Sequence, residues 1–295
     1  MGSPLRVYTG SGIQVSLYDA TNGLAYLGWI EEGADFSDES QNTILSTGSL
    51  FELSKLAKFQ IPILQTDAAK LAILTARRGY AQEVYFIGLD FALKISNVFI
   101  SVNMARGFKP GTGHKYLLTG QTGDKSQAVF MTNILGVYGS MDTAVANICT
   151  GWTNDGGTSP TNPASFLGGG HGNCQRITFT DATDFMYCLI RFPLDALSIK
   201  ITFSANFHNY TANTRSITMG FRTKNAAGTV LDTNTKVESF TSAQEKIVSN
   251  EITFLPTALV QSIEAFVSGG AAGSIDIAWD EAQLEMGEYT AWKNG

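Results

Sequence analysis

The run Ile199-Lys200-Ile201-Thr202-Phe203-Ser204-Ala205-Asn206-Phe207-His208 alternates apolar and polar side chains without a break. An extended chain puts every apolar member of such a run on one face, whereas a helix of 3.6 residues per turn would scatter them around its axis. A half-buried strand follows. Ile217, Met219 and Phe221 repeat the pattern, and turn signals at Asn225–Gly228 and Gly269–Gly273 separate the apolar segments around them. Short strands with hardly any helix between them predict an antiparallel jelly-roll sandwich over residues 125–295.

The first part of the chain is also strand-rich. Ile13, Val15 and Leu17 alternate with Gln14, Ser16 and Tyr18, and Asn22-Gly23 marks a tight turn, so a hairpin through Gly28-Trp29 is expected. Glu31, Glu32, Asp35, Asp38 and Glu39 then form an acidic stretch with no basic residue, read as a mobile loop or a solvated edge. After the strand-like Phe59–Leu64, Thr66 or Asp67 can cap a helix that turns Leu71 and Leu74 inward, with Arg77 and Arg78 in its last turn and Gly79 beyond. Val84–Leu89 and Ile95–Met104 read as strands, Gly107–Gly113 interrupts them, and Tyr116–Leu118 resumes. The polar, glycine-rich Thr119–Gln127 is the linker candidate and sets the domains at 1–124 and 125–295. The first domain is expected to be a β-sandwich or barrel with one flanking helix near 66–78.

Composition bounds the function. With 295 residues, two domains are the natural expectation, and 44% hydrophobic residues suffice for real cores. Residues 1–125 hold 11 basic and 11 acidic side chains and 126–295 hold 9 and 15, so the whole net charge of −6 sits in the second part. That balance argues against a basic face gripping nucleic-acid phosphates. The start lacks the apolar run of a secretory signal and no stretch approaches a membrane span, so synthesis in the cytoplasm without a membrane segment is expected. Cys149, Cys174 and Cys188 form no C-x-x-C pair and read as small buried hydrophobes.

Signals for chemistry are few. Gly168–Cys174 holds one His and one Cys in a glycine-rich loop, but neither a G-x-S-x-G elbow nor a phosphate-loop Lys follows, and no catalytic residue is assigned. His114, His171 and His208 are too scattered for zinc. Sugar binding needs aromatic rings for stacking, flanked by polar groups for hydroxyls. Trp152-Thr153-Asn154-Asp155 and Phe207-His208-Asn209-Tyr210 have that composition, which makes Trp152 and Tyr210 the candidate glycan contacts. Trp152 and Phe207 fit a core equally well.

Two resemblances to known families add to this reading. Gly28-Trp29-Ile30-Glu31, the polar loop through Thr47-Gly48, Lys58–Ile63, the Thr66–Gly79 helix and Lys109-Pro110-Gly111, taken in order, resemble the tail tube proteins of long-tailed bacteriophages. That family implies hexameric rings stacked into a hollow tube. The acidic residues Glu31, Glu32, Asp35, Asp38 and Glu39 would then line the lumen or bridge rings, letting DNA pass without specific binding. Arg77 and Arg78 would either neutralise neighbouring subunits' acids or be ordinary helix-end charges. Asp280–Gly287, a D-x-x-Q-L-E-x-G run followed by Thr290 and Trp292, resembles the closing strand of carbohydrate-binding-module jelly rolls. That resemblance implies a structural Ca²⁺ with Asp280 as one carboxylate ligand; no other cofactor is expected.

Together the resemblances imply a structural virion protein: a tail tube subunit with an outward-facing decoration domain, located in the phage tail. Its expected partners are further copies of itself, other tail proteins and passing DNA. The alternative is an adhesin or baseplate protein that binds host-surface glycans through its C-terminal domain. A glycan-active enzyme is disfavoured because no paired carboxylates stand out.

Overall fold

The computed structural model describes residues 13–29, 35–44, 50–65, 68–88, 92–104, 114–122, 128–131, 133–167, 171–195, 198–270, 273–287 and 290. The protein is mainly β and divides into two compact units, Met1–Met131 and Thr132–Gly295.

In the first unit β1 (Gln14–Asp19), β2 (Gly23–Trp29), β3 (Asp35–Ile44), β4 (Leu50–Gln65), β5 (Gln82–Ile87), β6 (Ala92–Met104) and β7 (His114–Thr122) form one antiparallel sheet in the order β2-β1-β5-β6-β7-β4-β3. A short β8 (Ala128–Phe130) pairs with β6, so this segment belongs to the first sheet and the unit ends at Met131. The expected linker begins inside β7, which runs to Thr122. β6 pairs with β5 through its first half and with β7 through its second. Asn97, with φ of 53°, lies between the two halves, a left-handed conformation that asparagine tolerates better than most residues. Val15, Leu17, Phe59, Leu74, Val84, Phe86, Ile95, Val98 and Leu118 form the core. Gly120 is required there, because a Cβ would come within 2.2 Å of the Phe59 ring.

The helix α1 spans Ala68–Ala76, with Leu74 fully buried. Arg77 is not a free charge at its end. It is buried, its Nη1 donates to Asp19 Oδ2 and Gln82 Oε1 at 3.0 Å each, and its Nη2 donates to the carbonyls of Asn22 and Gly23. The β1–β2 turn is thus clamped from below, which removes Arg77 as a partner for neighbouring subunits. Arg78 donates to the Val102 carbonyl within its own unit.

The second unit is a two-sheet sandwich. It opens with a 3₁₀ turn at Gly136–Gly139 and a small hairpin of β9 (Ala144–Val145) and β10 (Ile148–Cys149). There follow β11 (Trp152–Asp155), β12 (Thr158–Thr161), β13 (Gln175–Phe179), β14 (Phe185–Leu194), β15 (Ile199–Asn209), β16 (Arg215–Lys224), β17 (Val230–Phe240), β18 (Glu245–Phe254), β19 (Val260–Gly269) and β20 (Ile275–Met286). One sheet runs β11-β14-β19-β16-β17 and the other β12-β13-β20-β15-β18, all pairs antiparallel, and successive strands cross repeatedly between sheets as in a jelly roll. Trp279 is the centre of the shared core, with the rings of Trp152, Phe179 and Phe207 at 5.7, 6.3 and 6.5 Å. All three cysteines are buried and free.

The closing-strand motif has structural work in each position described. Gln283 donates to the Thr290 carbonyl, Glu285 accepts from both the amide and the hydroxyl of Thr290, and Gly287 takes a φ of 95° as the chain turns. Among the described residues no helix is long and apolar enough to cross a membrane.

Candidate functional site

The site lies on the outward face of the sheet β12-β13-β20-β15-β18. Because Ile199, Ile201, Phe203, Ala205 and Phe207 face the core, Thr202, Ser204, Asn206 and His208 must face outward, and Tyr210 follows in phase just past the strand end. The middle strand contributes Ala278, which the register places opposite Arg176 on β13 and opposite His208 on β15. A methyl group between two long side chains leaves room for them to meet over it. Arg176 reaches across until its Cζ stands 3.9 Å from the centroid of the Tyr210 ring.

The resulting strip is continuous. Phe166 and His208 have ring centroids 5.4 Å apart, His208 and Tyr210 are 4.4 Å apart, and Arg176 covers the far end. Arg176 is fixed by a bidentate pair with Asp276, Nε to Oδ1 at 2.9 Å and Nη2 to Oδ2 at 2.5 Å. That hydrogen bonding holds the guanidinium pKa above its usual value, while burial pushes the Tyr210 hydroxyl up. Tyr210 is placed by its own amide, which donates to the Asp276 carbonyl, yet it stays 38% exposed. Among the described residues His208 Nδ1 accepts no hydrogen bond, and it stands 3.9 Å from Glu245.

A loop from β12 folds onto the same face and brings Phe166 to the strip. Ser165 donates to Asp280 Oδ2 at 2.6 Å, and His171 Nδ1 lies 2.8 Å from Glu281 Oε1. Glu281 occupies a bulge with φ of 52° opposite the Ser204–Asn206 step, and its other oxygen accepts from Asn206. The loop's return needs glycine at 172, where φ is 71° and a Cβ would lie 1.7 Å from Asp142 Oδ1.

Tyr210 is therefore part of an assembled surface, but Trp152 is not. Only 5% of Trp152 is exposed; it packs edge-on against Trp279 and its indole N–H donates to the Tyr138 carbonyl. Its place on the inward phase of β11, opposite buried Cys188, is why it joins the core and not a platform. Asp280 is 1% exposed, with Oδ2 bonded to Ser165 and Oδ1 to the Glu281 amide. Burial is the main cause that pushes its pKa up to about 6. Among the described residues no three His, Cys, Asp or Glu side chains come together in a metal-holding group, and both oxygens of Asp280 accept hydrogen bonds. Of the acidic stretch, Glu31 and Glu32 lie outside the described residues. Asp35, Asp38 and Glu39 are on β3, in register with Gln60, Ala57 and Leu56 of β4, so this part is an edge strand and not a loop. Sequence reasoning missed Phe166, Arg176 and Asp276, which only the strand register and the returning loop bring to Tyr210.

No family model matches the chain, and no curated protein matches it by sequence. Among solved structures it is similar to an arabinose-bound α-L-arabinofuranosidase, MgGH51, with 16% identity and a TM-score of 0.42 over 54% of this chain and 27% of that one. It is also similar to the CBM22-1 xylan-binding domain of Xyn10C from Paenibacillus barcinonensis, with 13% identity and a TM-score of 0.36 over 51% of this chain and 92% of the other. The enzymatically active domain of tailspike protein 4 from bacteriophage CBA120 matches at 12% identity and a TM-score of 0.38, over 52% of this chain and 21% of that one. The chain thus spans about a quarter of the arabinofuranosidase.

Proposed function

We propose that the C-terminal unit is a carbohydrate-binding module whose ligand lies along the strip Phe166–His208–Tyr210–Arg176. The observation that carries this reading is the continuity of the strip: three rings and a guanidinium in successive contact, bordered by Asp276, Asn206 and Glu281, with the exposed Ile247 beside Asn206 on the same face. Aromatic faces take the C–H side of a pyranose, and the bordering amide and carboxylates pair with its hydroxyls. Arg176 is committed to Asp276, so the strip presents no net charge from that pair and suits neutral sugars. Joined to an N-terminal unit that resembles tail tube proteins, such a module fits a tail protein that recognises a bacterial-surface polysaccharide. Affinity electrophoresis in gels containing xylan or a bacterial O-polysaccharide tests it. Retardation of the native chain that Phe166→Ala and Tyr210→Ala abolish supports the reading, and equal retardation of all three proteins would oppose it.

A second reading makes the chain a tube subunit of the phage tail, with DNA passing through stacked hexameric rings. It draws support from β2 and β3, which end the sheet order of the first unit and can pair with identical neighbours. Electron microscopy separates the two, since a tube subunit forms sixfold rings.

A further inference from the structure

The opposite sheet carries a second, differently charged platform. On β14 the outward positions are Phe185, Tyr187, Leu189 and Arg191, because Met186 and Cys188 are fully buried in the core. In register beside them stand Phe266 and Glu264 of β19, and beyond those Gly220 and Arg222 of β16. Phe185 and Tyr187 have centroids 5.6 Å apart at 34°, nearly one continuous surface. On their β11 side stand Thr153 and Asp155, both short and exposed, while from the β16 side Arg222 lies over Phe185 and Lys224 over Tyr187.

The charges on this face are arranged unlike those of the first strip. Glu264 is 1% exposed although it points outward, and Lys224 donates to its Oε2. Among the described residues its Oε1 accepts no hydrogen bond, and Arg222 Nη1 approaches only to 3.4 Å. Arg222 stands over two aromatic rings, its Cζ 4.4 Å from the Phe266 centroid and 4.8 Å from that of Phe185. Among the described residues its guanidinium donates no hydrogen bond, and it is still 26% exposed. A stacked arginine with unused donors is pre-organised for a bidentate acceptor. Lys224 adds a cation 5.5 Å from the Tyr187 centroid. Arg222 and Lys224 share the one buried carboxylate of Glu264, with Asp155 the exposed acid opposite Phe185, in a stretch, 126–295, that holds 15 acidic and 9 basic residues.

We infer that this face binds an acidic saccharide: the sugar ring stacks on Tyr187 and Phe185, and its carboxylate takes the free edge of Arg222. Arg176 forks onto Asp276 with two hydrogen bonds, whereas Arg222 meets Glu264 through one nitrogen at 3.4 Å, so the two faces of the unit differ in the charge of the sugar they accept. Glu264 is a positioning residue that holds both cations at the surface.

The test is calorimetric titration of the full chain with trigalacturonic acid and with a hyaluronan tetrasaccharide, alongside the methyl-esterified trigalacturonate. At least one acid should bind and its neutral ester should not, with affinity falling as salt rises. Tyr187→Ala should weaken binding at least tenfold, whereas Tyr210→Ala should leave it unchanged. Arg222→Gln alone strips a cation from buried Glu264, so the double variant Arg222→Gln/Glu264→Gln is measured with it, and both should lose binding. No binding of either acid, binding indifferent to Tyr187 and Arg222, or binding lost in Tyr210→Ala would each overturn the inference. Only the last would at the same time support the strip on the other sheet.

Discussion

Replacing Asp280 by Asn tests how the closing strand is held. Asp280 is almost wholly buried, and burial raises its pKa from 3.8 to about 6, assisted by the charges of Glu281 and Asp142 and opposed by hydrogen bonds from Ser165 and the Glu281 amide. A folded-state pKa above the unfolded one means that this group favours folding at acid pH and that the contribution is lost as pH rises through about 6. The difference, roughly 2 units, corresponds to an ionisation cost of about 3 kcal/mol well above that pH. Asparagine keeps the shape and an acceptor for the Glu281 amide, and it can reverse the Ser165 bond by donating to the hydroxyl. Allowing about 1 kcal/mol for that rearrangement, Asp280→Asn should be more stable than the native chain by about 2 kcal/mol at pH 8 and equal or slightly less stable at pH 4.5. Urea unfolding of both proteins at the two pH values, followed by tryptophan fluorescence, gives the difference. Titrations common to both cancel in it. A variant that is less stable at both pH values, by an amount independent of pH, would refute the argument.

Other perturbations separate structural from binding roles. Arg77→Ala should destabilise the first unit by about 3–5 kcal/mol in denaturant unfolding, because it strands the buried Asp19 carboxylate under the β1–β2 turn; a loss below about 1 kcal/mol would contradict the clamp. Trp152→Ala should cost about 3–5 kcal/mol by opening a cavity beside Trp279, whereas Tyr210→Ala should change the unfolding temperature little. Chelation should not move the melting of the second unit, since hydrogen bonds from Ser165 and the Glu281 amide occupy Asp280; a calcium-dependent rise that Asp280→Asn removes would restore the metal.

Much of the architecture was legible because it rests on alternation. In β15 and β16 the apolar phase is the core face, and Asn22-Gly23 and Asn225–Gly228 turn where glycine relieves positive φ. The other phase was less readable: Thr202 and Ser204 are polar and outward yet buried, and periodicity has no term for what folds back over a sheet. Trp152 and Tyr210 show the same limit at the site. Both sit in sugar-like composition, but only strand phase decides that one ring fills the core while the other stays outside. Arg77 reads as a helix-end charge until the hairpin tip is placed above it. The strip itself depends on Arg176 of β13 reaching over β20 to Tyr210, which sits beside Asp276, a contact set by register between strands distant in sequence.

The central claim, that the Phe166–His208–Tyr210–Arg176 strip binds sugar, is tested most directly by titrating the full chain and its Tyr210→Ala variant calorimetrically with xylohexaose and with oligosaccharides of a bacterial O-polysaccharide. The account predicts that at least one neutral oligosaccharide binds the native chain and that the variant, with an unchanged unfolding temperature, binds it at least tenfold more weakly, a loss of about 1.4 kcal/mol or more. Equal affinity in the two proteins would contradict it, as would the absence of any binding.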